Sequence, residues 1–122
     1  MNQTPEIVNY SVAVDARGAL LPVEFSDVPF TVRRIFVVTG PPGGAIRGQH
    51  VVPCEQLLCI ISGEATVQLG TDENSLGPEL RLTMPGQAVR LNAGTYVVYS
   101  LHDEASSLLV LAEEPYSGSR PE

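Results

Sequence analysis

From Ile7 onward the apolar residues come in short runs of valine, isoleucine, leucine and aromatic side chains, separated by glycine, proline and asparagine. No segment sustains the three-and-four spacing of an amphipathic helix, and short runs bounded by turn residues are the mark of strands. The pattern predicts strands over Ile7–Val14, Leu20–Phe25, Thr31–Thr39, Ala45–Val52, Gln56–Ser62, Glu64–Gly70, Glu79–Met84, Gln87–Leu91, Thr95–Leu101 and Ser107–Ala112. Turn clusters such as Gly40-Pro41-Pro42-Gly43-Gly44 and Met84-Pro85-Gly86 fall between the runs, where proline interrupts a helix and glycine supplies turn geometry. About ten short, evenly spaced strands and almost no helix predict an all-β sandwich or jelly-roll barrel. The ends, Met1–Pro5 and Ser117–Glu122, read as loose or partner-bound tails.

With 122 residues the chain has room for one core, so 1–122 reads as a single domain with its core at roughly 7–116. Apolar residues at 43% and charged residues at 17% suffice for a packed interior and are unlike a disordered tail. The formal charge of -7 repels phosphate backbones and anionic lipid, so neither nucleic acid nor membrane is expected as a partner. All seven basic residues are arginine, which excludes Schiff-base chemistry at lysine. Cys54 and Cys59, placed on one strand five residues apart, would point to opposite faces and read as reduced core residues. No basic leader and no long apolar run opens the chain, so a cytoplasmic location is expected.

Two spacings narrow the barrel type. The first cupin motif is matched in spacing from Gly44 through His50, Val52 and Gln56 to Gly63, and the second by Gly86, Asn92, Gly94, Val97 and Leu101. The expected fold is therefore the cupin-type double-stranded β-helix. Its four metal-ligand positions hold His50, Val52, Gln56 and Val97, which leaves one strong donor. No metal and no other cofactor are expected.

Several local motifs resemble the sugar-nucleotide 3,4-ketoisomerases, cupins that act on thymidine-diphosphate-4-keto-6-deoxyhexoses. They are Asp15-Ala16-Arg17-Gly18 with Leu20 and Glu24, Val28-Pro29-Phe30, Arg33-Arg34-Ile35-Phe36 and Arg47-Gly48-Gln49-His50. Gln56–Gly63, Leu109-Val110-Leu111-Ala112 and Pro115-Tyr116 complete the set, which spans roughly residues 11 to 116. The resemblance implies a metal-free homodimer that moves a carbonyl between C3 and C4 of a nucleotide-linked sugar. Where the family has a second motif histidine this chain has Val52, the next loop is one residue shorter, and Pro53 and Cys54 stand near the position of a family lysine. A single histidine, moving a proton along one face, would then serve as both base and acid.

His50 shares a strand face with Val52 by alternation, the face that turns into the cup, and its imidazole suits proton transfer near neutral pH. Arg47 is the second catalytic candidate, a guanidinium placed to steady an enolate oxygen, although a salt bridge at the rim fits equally well. Arg17, Arg34, Gln56, Tyr99 and Tyr116 are the substrate-binding candidates. Arg17 sits beside a flexible glycine, where it could clamp a diphosphate. Arg34 enters the cup by resemblance, its neighbour Arg33 facing the other way. Tyr99 shares a face with Val97, and Tyr116 matches a family position. Asp15 reads as the residue that shapes the turn before Arg17-Gly18. His102, in Leu101-His102-Asp103-Glu104, reads as solvent-exposed, and Arg81 and Arg90 as outer-face charges.

Three functions compete. The first is an isomerase of the ketoisomerase type, with His50 as acid and base and arginines around the diphosphate. The second is a recruited cupin that isomerises or cyclises an apolar biosynthetic intermediate, a ligand suited to a cup lined by Val52. The third is a non-catalytic module that binds a small molecule. A homodimer is expected from the resemblance and from the β-rich start at Ile7–Val14, which could pair across a two-fold axis.

Overall fold

A computed structural model of the chain describes residues 7–115. Five strands, β1 (Ile7–Asn9), β4 (Arg34–Thr39), β6 (Gln56–Ser62), β9 (Gln87–Leu91) and β11 (Ser107–Ala112), form one sheet in the order β1-β9-β6-β11-β4. Four more, β5 (Ala45–Val51), β7 (Ala65–Gly70), β8 (Leu80–Leu82) and β10 (Tyr96–Leu101), form a second in the order β5-β10-β7-β8. A separate hairpin pairs β2 (Ala13–Asp15) with β3 (Gly18–Leu20). Every pairing is antiparallel, and the only helical element among the described residues is a 3₁₀ turn over Phe25–Asp27. The two sheets face each other as a cupin-type jelly roll.

Burial follows the sequence pattern strand by strand. In β7 and β10 every second residue is buried, as expected where one face is packed and the other is less enclosed. In β6, Gln56 through Ile60 are all buried, because this central strand is covered on both sides. Its inward residues Leu58 and Ile60 join Val38, Val67, Leu82, Val89, Leu91, Leu108 and Val110 in the core between the sheets. Its outward residues Leu57 and Cys59 join Ala88 and Leu111 in a second core, roofed by Tyr10, Leu21, Val23, Val28, Phe30 and Val32.

That roof explains where the predicted strands fail. The run Ile7–Val14 is interrupted: β1 ends at Asn9, Tyr10 donates its N–H to the Gly86 carbonyl at 2.8 Å, and pairing resumes only at Ala13. β1 pairs with β9 of its own chain along one side and ends the sheet, so its other side is an open edge. Leu20–Phe25 is not a strand, since Pro22 has no N–H to give a ladder and Leu21 and Val23 pack downward as cover. Thr31–Arg33 likewise precede β4, with Val32 packed beneath, and the Glu79–Met84 run shortens to β8. The cysteines do not share a strand either: Cys54 lies before β6 and Cys59 within it. Both are buried and neither is bridged.

Candidate active site

β5 is the strand that builds the site. Against β10 its register runs Tyr96↔Val51 and Val97↔His50, then jumps to Val98↔Gly48 and Tyr99↔Arg47, leaving Gln49 as an extra residue. Gly48 and Gln49 both adopt left-handed backbone, with φ of 80° and 61°. This β-bulge changes which side chains share a face. Strict alternation would put Arg47 and His50 on opposite sides of the sheet. With one residue bulged out, each instead stands opposite an inward residue of β10, Tyr99 for Arg47 and Val97 for His50.

His50 lines a pocket at the mouth of the inner core together with Phe36, Gln56, Leu58, Leu91, Val97, Tyr99 and Val110. The enclosed space is small, about 10 Å3, and opens to solvent. His50 Nδ1 lies 3.2 Å from the Val51 carbonyl oxygen. A carbonyl only accepts, so in the neutral ring Nδ1 carries the proton and Nε2 is the basic atom. Arg34 stacks its guanidinium 5.0 Å from the centroid of Phe36, and Arg34 and Arg47 are both half-buried beside the pocket-lining aromatics. Gln56 and Tyr99 are 4% and 5% exposed. The fold thus gathers His50, Arg47, Arg34, Gln56 and Tyr99 at one end of the barrel.

Two predicted site residues are not among them. Arg17 does not line the pocket: it sits at the turn of the β2–β3 hairpin, its side chain 90% exposed and paired with Asp15 at 2.6 Å. Asp15 also accepts the Arg17 backbone N–H at 2.8 Å, shaping the turn as the sequence suggests, and the Arg17 guanidinium holds its carboxyl below the usual carboxylate range. Tyr116 lies outside the described residues. His102 departs from its solvent-exposed reading: Nε2 lies 2.9 Å from Thr66 Oγ1 and Nδ1 3.4 Å from Glu64 Oε1, pinning the chain after β10 to β7. Arg81 faces outward, and Arg90 pairs with Glu55 on the outer side of β9. Phe36, Leu58, Leu91 and Val110 line the pocket without having been singled out, although their inward face is readable from the alternation of their strands.

A metal centre of the cupin kind does not fit. Val52 is fully buried in the inner core, Val97 and Gln56 hold two further ligand positions, and no cluster of three or more His, Cys, Asp or Glu suited to a metal occurs among the described residues.

The model of the family described as FdtA: WxcM-like, C-terminal matches residues 3–120. The chain belongs to that family. Among solved structures the FdtA-like chain is similar to the QdtA 3,4-ketoisomerase of Thermoanaerobacterium thermosaccharolyticum, crystallised as a double mutant in complex with TDP. The two share 24% identity over 96% of this chain and 85% of that one, at a TM-score of 0.81. A 3,4-ketoisomerase of Helicobacter canadensis superposes at 0.80 with 24% identity, covering 96% of this chain and 88% of its own. The WlaRB TDP-quinovose 3,4-ketoisomerase of Campylobacter jejuni superposes at 0.79 with 24% identity, covering 97% and 91%. At these identities the likeness establishes the fold. No curated protein matches the chain. No helix among the described residues is long and apolar enough to cross a membrane.

Proposed function

We propose that this FdtA-like protein is a sugar-nucleotide isomerase that moves a carbonyl between C3 and C4 of a nucleotide-linked 4-keto-6-deoxyhexose. The observation that carries the reading is His50, with its basic Nε2, lining an apolar pocket, while half-buried Arg34 stacks on the pocket-lining Phe36 and half-buried Arg47 stands opposite the pocket-lining Tyr99. His50 removes the proton from C3. The electron pair of the C3–H bond becomes the C3=C4 double bond, and the C4 carbonyl becomes an enolate oxygen. Arg47 stabilises that oxygen, its charge strengthened by the low-dielectric surroundings. Return of the proton to C4 by His50, with transfer of the O3 proton to O4, then leaves a carbonyl at C3 and a hydroxyl at C4. His50 serves both proton transfers on one face of the sugar, since Val52 offers no second base. Arg34, Gln56, Tyr99 and Tyr116 bind the substrate. Conversion of TDP-4-keto-6-deoxyglucose to its 3-keto isomer by the purified protein tests the reading, and no conversion at high protein concentration would reject it.

The working unit is a homodimer. The hairpin carries exposed Val14 and Leu20, and the edge strand β4 exposes Ile35 and Val37, apolar surface that a second copy would cover. In that assembly Arg17 reaches the diphosphate bound at the partner's pocket, which gives a use to a guanidinium held away from its own. The two unbridged cysteines fit a reducing compartment, the cytoplasm. The apolar lining by Leu58, Leu91, Val97 and Val110 favours one second reading, isomerisation or cyclisation of an apolar biosynthetic intermediate, in which the arginines are dispensable.

A further inference from the structure

Gln56 is a polar side chain in a place built for an apolar one. It opens β6 between two partners, Leu91 on β9 and Ala112 on β11, so its backbone is fixed on both sides. The residue is 4% exposed, and its side-chain Nε2 is buried with no hydrogen-bond partner among the described residues. Leaving a buried amide N–H without a protein acceptor costs stability, and such groups are few in folded proteins. A methionine of nearly the same length would fill the site without that cost. The side chain lines the same pocket as His50 and Tyr99.

Resting on the isomerase reading, the geometry points to Gln56 as the donor that binds the substrate oxygen on which charge develops during proton transfer, at the cost of fold stability when that oxygen is absent. An amide NH2 group only donates, so the ligand atom it meets is an acceptor, a carbonyl or enolate oxygen of the sugar. Gln56 enters the pocket from β6 of one sheet and His50 from β5 of the other, and the amide is held by a strand rather than a loop, so it is preorganised for the transition state. Gln56 is then a catalytic residue alongside His50, and its position in the first cupin motif, where a metal cupin has its glutamate, is used for hydrogen bonding instead of ligation.

The test compares the full-length wild type with Gln56→Met and Gln56→Glu in three measurements: thermal melting without ligand, affinity for TDP, and turnover of TDP-4-keto-6-deoxyglucose. Gln56→Met is expected to melt a few degrees higher, to bind TDP as the wild type does, and to lose roughly 100-fold in kcat with little change in KM. Gln56→Glu, which replaces donors by a carboxylate facing the developing charge, is expected to lose at least as much. A Gln56→Met protein that melts below the wild type would show that the amide serves the fold, and turnover within about threefold of wild type would show that it does not touch the reacting oxygen. Either result overturns the assignment. A wild type that converts nothing would reject the isomerase reading and the Gln56 assignment with it, whereas wild-type turnover that survives Gln56→Met would reject the assignment alone.

Discussion

The ring of Tyr99 lies against Gly48: a β-carbon placed on the glycine would stand 3.3 Å from Tyr99 Cδ1 and 2.7 Å from the Val97 carbonyl oxygen. Gly48 also has φ of +80°, in the left-handed region that side chains avoid. The bulge that turns Arg47 and His50 to the same side therefore depends on glycine at this position. Gly48→Ala is expected to cost about 1–3 kcal/mol in urea unfolding and to depress turnover beyond what the lost stability explains. Unchanged stability and activity would show that the bulge tolerates a side chain.

Ser106 holds the turn into β11. Its hydroxyl accepts the Glu64 N–H at 3.0 Å and donates to Asp103 Oδ1 at 3.1 Å, and the residue is fully buried. Ser106→Ala strands a Glu64 N–H that no side chain can replace and is expected to lower the unfolding free energy by about 1–3 kcal/mol. Turnover measured below the melting transition should stay at the wild-type level, because Ser106 is not part of the pocket.

Much of this architecture was legible in the chain, and the exceptions have physical causes. β7 and β10 alternate cleanly because one face of each is packed against the core, and the continuous apolar run of β6 follows from cover on both faces. Leu21, Val23 and Val32 are as apolar as strand residues but serve as a roof over Leu57 and Cys59, so apolar content alone misassigned them. The bulge left no readable mark. Glycine at 48 permits it, yet Gln49 at φ 61° is an ordinary residue in an unusual conformation, and only the register with β10 reveals that Arg47 and His50 share a side of the sheet. For Arg17 the motif suggested binding chemistry but carried no information about position, and the structure places the side chain at an exposed hairpin turn away from the pocket.

Burial under the roof pushes the Cys59 thiol up to about 11, from an ordinary 9.0. Well below pH 9 the thiol is protonated in both folded and unfolded chains and has no effect on the balance. Between pH 9 and 11 the unfolded chain loses this proton first, so stability falls as pH rises, by up to about 2–3 kcal/mol. Thermal melts across that range should decline less steeply for Cys59→Ala than for the wild type. Parallel slopes would mean that Cys59 is more open to water than its position implies. The same burial predicts that Cys59 resists thiol reagents at pH 8 until the protein unfolds.

Arg17 separates the dimeric isomerase from the apolar-substrate reading. Because its side chain is exposed and, among the described residues, bonded only to the neighbouring Asp15, Arg17→Ala should leave the melting temperature unchanged. If a partner's pocket uses it, KM for the nucleotide sugar rises by roughly tenfold or more. Light scattering on the same samples should give twice the chain mass. A monomer, or an Arg17→Ala protein with unaltered KM, would remove Arg17 from the site.

In the proposed reaction a single histidine moves the proton. Proton NMR in deuterated water, with TDP-4-keto-6-deoxyglucose and either the wild type or His50→Asn, tests this most directly. The wild type is expected to form the 3-keto isomer with deuterium entering beside the carbonyl, and His50→Asn, equally folded, to do neither. Deuterium entry at wild-type rate in His50→Asn would contradict the assignment of His50 as the base.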